Sequence, residues 1–135
     1  MDMAEGPLVL LVEDDPLLAS IIARRFVAES LHVERAASGE EALQLLEKGQ
    51  KPDLMLLDIH LPGMSGFDVL EKIRAAPNTS KLPVIVLSNF NGPEDVERSK
   101  SLGVLKHIQK VSLTPAEIVD VVREELNKGR ATMSA

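Results

Sequence analysis

Five times along this chain a short apolar run gives way to a stretch with helical spacing. Leu8-Val9-Leu10-Leu11-Val12 is apolar throughout and rich in β-formers, the pattern of a strand buried on both faces. Asp15-Pro16 then supplies an N-cap residue followed by Pro at the first helical position. Leu17, Leu18, Ile21, Ile22 and Phe26 recur at helical spacing and are expected in the core. Leu31 to Ala36 reads as a weaker second strand. Ser38-Gly39-Glu40-Glu41 is a capping box, opening a helix with Ala42, Leu43, Leu45 and Leu46 inward and Gly49 at its end.

The pattern continues through the second half. Asp53 to Asp58 is a third strand, and Ser65, with Asp68 three residues on, caps a helix through Arg74. Leu82 to Leu87 is a fourth buried strand. Asn91-Gly92-Pro93 opens a polar helix that ends near Gly103. Val104 to Gln109 is a less apolar fifth strand. Thr114-Pro115-Ala116-Glu117 is another capping box, leading into Ile118, Val119, Val121, Val122 and Leu126. Five βα units in series imply an α/β fold, a doubly wound five-stranded parallel sheet with helices on both faces. The count is too small for an eight-stranded barrel. The simplest strand order is 2-1-3-4-5. One domain, residues 8–128, is expected to fill the chain, between tails at 1–7 and 129–135 and with no output module attached.

Composition removes whole classes of function. Cysteine is absent, which excludes disulfides, zinc–thiolate sites, iron–sulfur clusters and thiol catalysis. No apolar run approaches the ~20 residues of a membrane span. The first seven residues carry Asp2 and Glu5 and no basic segment, unlike a secretion signal. We therefore expect a cytoplasmic protein that does not bind membranes. The formal charge is −6, without a basic run, which argues against nucleic acid as a partner. Three Phe and no Tyr or Trp leave little for stacking platforms or aromatic cages.

In such a sheet, ligands bind beyond the carboxyl ends of the strands, near the switch in strand order. The first strand ends in Glu13-Asp14-Asp15, the third in Asp58, the fourth in Ser88 and the fifth in Lys110. Strands one and three are neighbours in the expected order, so Glu13, Asp14 and Asp58 crowd into one pocket. Crowded carboxylates repel, and at least one pKa rises unless a cation intervenes. An all-oxygen cluster suits a hard ion, Mg²⁺ before Ca²⁺ or Zn²⁺. Ser88 offers a hydroxyl and Lys110 a positive charge at the same edge. Together they suit stabilisation of a phosphoryl group by charge, with a carboxylate as the nucleophile. Asp15 fits better as a helix cap, Asp53 as the start of its strand, and His32 as a surface residue.

The set as a whole, over about Leu8 to Leu126, resembles the receiver domain of two-component response regulators. The resemblance is carried by Leu11-Val12-Glu13-Asp14-Asp15, by the run from Pro52 through Asp58 to Pro62-Gly63-Met64-Ser65-Gly66, by Leu87-Ser88, by Leu102-Gly103 and by Lys110. It implies the flavodoxin-like (βα)5 fold with the same 2-1-3-4-5 order. It also implies Asp58 as phosphoacceptor, and Glu13, Asp14, Asp58 and the backbone carbonyl of His60 as Mg²⁺ ligands. Ser88 and Lys110 would bind the phosphoryl group. The implied donor is a phosphohistidine on a sensor histidine kinase or phosphotransfer protein. The implied output is a switched face that binds a downstream protein target or, weakly, a second copy of the chain. Such a protein is a phosphoacceptor that assists its own phosphorylation and dephosphorylation, and not an enzyme with a separate substrate.

Three positions depart from the family pattern. His107 stands three residues before Lys110, where receivers usually place Tyr or Phe as an output switch, and we expect it half-buried at a partner face. Val111 follows Lys110 where most receivers have Pro, so a trans bond and a differently shaped turn are expected. Asn89 replaces the small residue that usually follows the switch hydroxyl. These departures leave room for a rival, a receiver-like docking module that never turns over phosphate. A flavin-binding relative of the fold is disfavoured because Glu13-Asp14-Asp15 would repel the flavin phosphate. A metal-dependent phosphatase acting on small substrates would need its own general acid and a substrate lid, and the sequence offers neither.

Overall fold

The computed structural model describes residues 6–89 and 92–134, with side chains through residue 129. Its elements are β1 (Leu8–Val12), α1 (Pro16–Ala28), β2 (His32–Ala36), α2 (Gly39–Glu47), β3 (Leu54–Asp58), α3 (Gly66–Ala75), β4 (Val84–Ser88), α4 (Pro93–Ser101), β5 (Lys106–Gln109) and α5 (Pro115–Ser134). All strand pairs are parallel, in the order β2-β1-β3-β4-β5 expected from the sequence.

The continuous apolar runs follow from this order. Each of β1, β3 and β4 has a strand on either side and helices above and below, so both side-chain faces are buried. Successive residues alternate between two cores. Val9, Leu11, Leu54, Leu56, Ile85 and Leu87 pack against Ile22 and Phe26 of α1 and Ile118, Val119 and Val122 of α5. Leu10, Val12, Met55, Leu57, Val84 and Val86 pack against Ala42 of α2 and Val69, Leu70 and Ile73 of α3. The edge strands β2 and β5 are only partly covered, which is why their sequences are less apolar.

The helix starts obey the capping chemistry. Asp15 accepts from the backbone of Leu17 and Leu18. Ser65 and Asp68 form a reciprocal capping box, as do Thr114 and Glu117. At α2 only half the box forms. Ser38 accepts from the Glu41 N–H, but the Glu41 carboxylate reaches back to Ala37 N–H. Asn91, read as opening α4, lies outside the described residues.

Three expectations need correction. Leu17 and Ile21 are exposed, at 70% and 42%, as is Val27. Helix α1 carries more apolar residues than one stripe can bury, and the stripe it uses is Ala19, Ile22 and Phe26. The strands β2, β3, β4 and β5 begin one or two residues later than read, at His32, Leu54, Val84 and Lys106. The expected tail from Gly129 is helical through Ser134, because Gly129 does not adopt the positive φ that would end the helix. Residues 1–5 and Ala135 of the expected tails lie outside the described residues.

Candidate functional site

The carboxyl ends of β1, β3 and β5 deliver three acids and one base to one spot. Glu13 extends the β1 ladder by one residue, donating its N–H to Ala36 O at 3.1 Å. That extension drives its side chain inward, where it is 0% exposed. Asp14 and Asp15, next along the turn, are exposed. Arg35 on β2 clamps this turn from the neighbouring strand. Its Nε and Nη2 donate to Glu13 O at 3.2 and 2.9 Å, and Nη2 also reaches Asp14 O at 3.2 Å. The clamp acts on the backbone and leaves the Asp14 carboxylate facing solvent.

Asp58 closes β3 and is 2% exposed. Its Oδ1 accepts from His60 N–H at 2.8 Å, and its Oδ2 from Lys110 Nζ at 2.9 Å. Lys110 Nζ also lies 3.0 Å from Glu13 Oε1, so one ammonium serves two buried carboxylates. The strand end is pinned on its far side. Ile59 donates to Leu87 O, and Gly66 N–H donates to Ile59 O. A Cβ on Gly66 would come within 2.5 Å of Ile59 Cα and 2.7 Å of Asp58 O, so only glycine allows α3 to start this close to β3.

The electrostatics follow from one cation among several anions. Burial raises the Glu13 pKa above its ordinary 4.5, and the Asp58 charge adds to the rise. Hydrogen bonds from Lys110 and the Asp15 backbone oppose it without cancelling it. Burial alone would depress the Lys110 pKa, but its bonds to Asp58 and Glu13 outweigh burial and hold it above 10.5. One ligand oxygen from each of Glu13, Asp14 and Asp58 can be chosen so that all lie within 4.8 Å of one another. Three carboxylate donors with no nitrogen or sulfur, one of them open to solvent, fit a hard divalent cation that retains waters.

The remaining expected site residues form a second, linked group. Ser88 ends β4 and is 0% exposed. The register sets Asp58 beside Leu87, which places Ser88 one residue beyond it at the same sheet edge. Its Oγ lies 3.1 Å from His107 Nε2. His107 is half-buried, as the sequence implied, but it bonds inward on both sides: its Nδ1 lies 2.8 Å from Ser99 Oγ. Burial lowers the His107 pKa below 6.5, Asp95 opposes this, and His60 adds to it. Sequence reasoning missed Ser99. A serine in a polar helix carries no sign of being that helix's buried position. The side chain of His60 is exposed, as are Asn89 and His32. Val111 is 81% exposed in a 3₁₀ turn at Lys110–Ser112, and the peptide bonds among the described residues are trans.

Residues 9–123 match the model of the response regulator receiver domain. The chain belongs to the response regulator receiver family. Transcriptional regulatory protein AfsQ1 of Streptomyces coelicolor is 41% identical over 90 residues, which are 67% of this receiver and 38% of that protein. Sporulation initiation phosphotransferase F of Bacillus subtilis is 30% identical over 120 residues, covering 89% of this chain and 90% of that one. A CheY-like response regulator receiver domain protein from Methanospirillum hungatei superposes with a TM-score of 0.85 at 25% identity, over 95% of this chain and 99% of that one. This receiver spans well under two thirds of several curated relatives it matches, AfsQ1 among them. Receiver domains are phosphoacceptors, and their family chemistry is phosphorylation on aspartate with a metal ion, for which the Glu13, Asp14 and Asp58 cluster is suited. Among the described residues no helix is long and apolar enough to cross a membrane.

Proposed function

We propose that this receiver accepts a phosphoryl group on Asp58 from a phosphohistidine of a sensor kinase or phosphotransfer protein, and that the change reshapes a protein-binding face. The observation that carries this reading is the convergence of Asp58 and Glu13 on the Lys110 ammonium, with Asp14 completing the acidic cluster beside them. Glu13, Asp14 and Asp58, with the His60 backbone carbonyl, would hold Mg²⁺. Bound there, Mg²⁺ supplies neutralising charge for the phosphoryl oxygens. An Asp58 carboxylate oxygen forms the new P–O bond as the P–N bond to the donor imidazole breaks, and the imidazole keeps that electron pair. Lys110 steadies the Asp58 carboxylate before transfer and pairs with a phosphoryl oxygen after it. Ser88 donates its hydroxyl proton to another phosphoryl oxygen. A cytoplasmic location and a downstream protein partner complete the proposed reading.

The rival docking module has no such support. Of the three departures that motivate it, Asn89 and Val111 are exposed and His107 is half-buried, and Glu13, Asp14, Asp58 and Lys110 stay in place beside them. The deciding experiment is intact-mass spectrometry after incubation with acetyl phosphate, with and without Mg²⁺, on wild type and Asp58→Asn. One Mg²⁺-dependent phosphoryl adduct, absent in the variant, is the expected result. No adduct, together with failure to form a beryllofluoride complex, would leave the docking module as the better account.

A further inference from the structure

Helix α4 buries one side chain among its described residues, and it is a hydroxyl. Ser99 is 1% exposed, and its Oγ lies 2.8 Å from His107 Nδ1. The other ring nitrogen, Nε2, lies 3.1 Å from Ser88 Oγ. Three elements, α4, β5 and β4, thus contribute to one line of buried polar groups. The line ends at the hydroxyl assigned above to the phosphoryl group.

Counting protons limits what this line can do. A neutral imidazole has one donor nitrogen and one acceptor nitrogen, and a hydroxyl has one proton. Burial keeps His107 neutral near pH 7, with the Asp95 carboxylate opposing and His60 reinforcing that effect. Two polarities are then open. In the first, Ser88 donates to Nε2, and Nδ1–H donates to Ser99 Oγ. In the second, Ser99 donates to Nδ1, and Nε2–H donates to Ser88 Oγ. An ionised phosphoryl group offers acceptor oxygens only. Ser88 must give up its single proton to bind one, so only the second polarity keeps the line intact.

The geometry points to a hydrogen-bond relay in which Ser99 and His107 position Ser88 Oγ for the phosphoryl group, and in which the phosphoryl-bound state holds His107 as its Nε2–H tautomer. This inference rests on the phosphorylation of Asp58 proposed above. The relay ties α4 to the site through the direction of a hydrogen bond, with the imidazole staying in place between the two serines. It also has a local consequence for α4. A helical serine hydroxyl can donate to the carbonyl four residues back, here Asp95 O. In the second polarity that proton is committed to His107, so any such bond is given up.

The test is ¹⁵N NMR of the His107 ring in the full chain at pH 7.5, with Mg²⁺, before and after addition of beryllofluoride. The expected beryllofluoride complex has a protonated Nε2 and an unprotonated, hydrogen-bonded Nδ1. Ser99→Ala should weaken beryllofluoride binding roughly two- to tenfold, the loss expected for one positioning hydrogen bond. Ser99→Thr, which keeps the hydroxyl, should restore it. A His107 that is protonated on Nδ1, or that loses both side-chain bonds, in a wild-type complex that does form would overturn the relay and leave the phosphorylation reading intact. A wild type that neither binds beryllofluoride nor gains a phosphoryl group would overturn both. The tautomer measurement is made on wild type, so it stands even where a Ser99 variant fails to fold.

Discussion

Replacing Lys110 with Ala is the sharpest probe of the site, because one ammonium serves two buried acids. Nζ lies 3.0 Å from Glu13 and 2.9 Å from Asp58, and the carboxylate side chains are 0% and 2% exposed. Removing one partner of a fully buried ion pair costs about 3–5 kcal/mol, most of it from the charge left behind. Two features reduce that figure here. The Lys110 side chain is 17% exposed, so water can enter where it was. The pKa of Glu13 is already raised, so proton uptake offers an escape. We therefore expect a loss of about 2–4 kcal/mol at pH 7.5.

The pH dependence separates this charge effect from simple loss of packing. Without Lys110 the folded-state pKa of Glu13 rises further above 4.5. Between 4.5 and that raised value the folded state holds a proton that the unfolded state has released. Stability of the variant must then fall as pH rises through that window, more steeply than in wild type. The deficit should be small near pH 5 and full by pH 7.5. Added Mg²⁺ should stabilise the variant more than wild type, because a dication replaces the missing positive charge. Urea unfolding followed by far-UV circular dichroism is suitable, since the chain has no Trp or Tyr. With a urea slope of about 1–3 kcal/mol per molar, a loss of that size moves the midpoint by about 0.7–4 M. An equal loss at pH 5 and 7.5, with no extra rescue by Mg²⁺, would mean that Lys110 acts only through its methylene stem.

Two further outcomes follow from the same geometry. Gly66→Ala sets a Cβ against the backbone at Ile59 and Asp58, which cannot yield as a flexible side chain can. It should cost about 1–3 kcal/mol in urea unfolding and also slow labelling of Asp58 by acetyl phosphate, whereas an unchanged labelling rate would show that α3 does not set the position of Asp58. His107 has a lowered pKa in the folded chain, so the unfolded state takes up its proton first as pH falls below 6.5. That contribution to stability is fully present above pH 6.5 and lost below it, opposite in sign to the contribution of Glu13. The difference between wild type and His107→Gln isolates it, and a difference that stays constant from pH 7.5 to 5 would contradict the assigned burial.

What was legible in the sequence tracks how many partners each element has. The runs that became β1, β3 and β4 are apolar at nearly every position because neighbours surround them on all sides, so their interior places could be read directly, while the strand order rested partly on the family resemblance. The acids and the lysine were legible for a related reason. Charged residues that follow a fully buried strand have few places to go except the sheet edge. Edge strands β2 and β5 have one strand partner each, so their start points carry little signal. Helix α1 is apolar on more than one side, and periodicity could not say that Leu17 and Ile21 would face solvent. Ser99 was invisible because its burial is satisfied by a histidine ring from another element, and local pattern does not encode that contact.

The site's unfavourable electrostatics and its proposed chemistry have one origin. Glu13, Asp14 and Asp58 bring three formal negative charges, and Lys110 returns one, leaving the cluster two charges short of neutrality. Burial is the main cause of the raised Glu13 pKa, and the uncompensated Asp58 charge adds to it. A second lysine would neutralise half of it and stabilise the fold, but it would also occupy the space between the carboxylates. A divalent cation cancels the whole shortfall and still leaves coordination positions for water or phosphoryl oxygens. In the proposed reaction, phosphorylation would convert the Asp58 carboxylate, with one negative charge, into an acyl phosphate with about two. The added charge would arise beside Lys110 and in reach of the edge that holds Ser88, two groups that can answer it without rebuilding the sheet. A site neutral at rest would have no such demand to transmit. On the proposed reading, the residual negative charge of the free chain is what would couple ion binding, phosphoryl capture and the Ser88–His107–Ser99 line to one another.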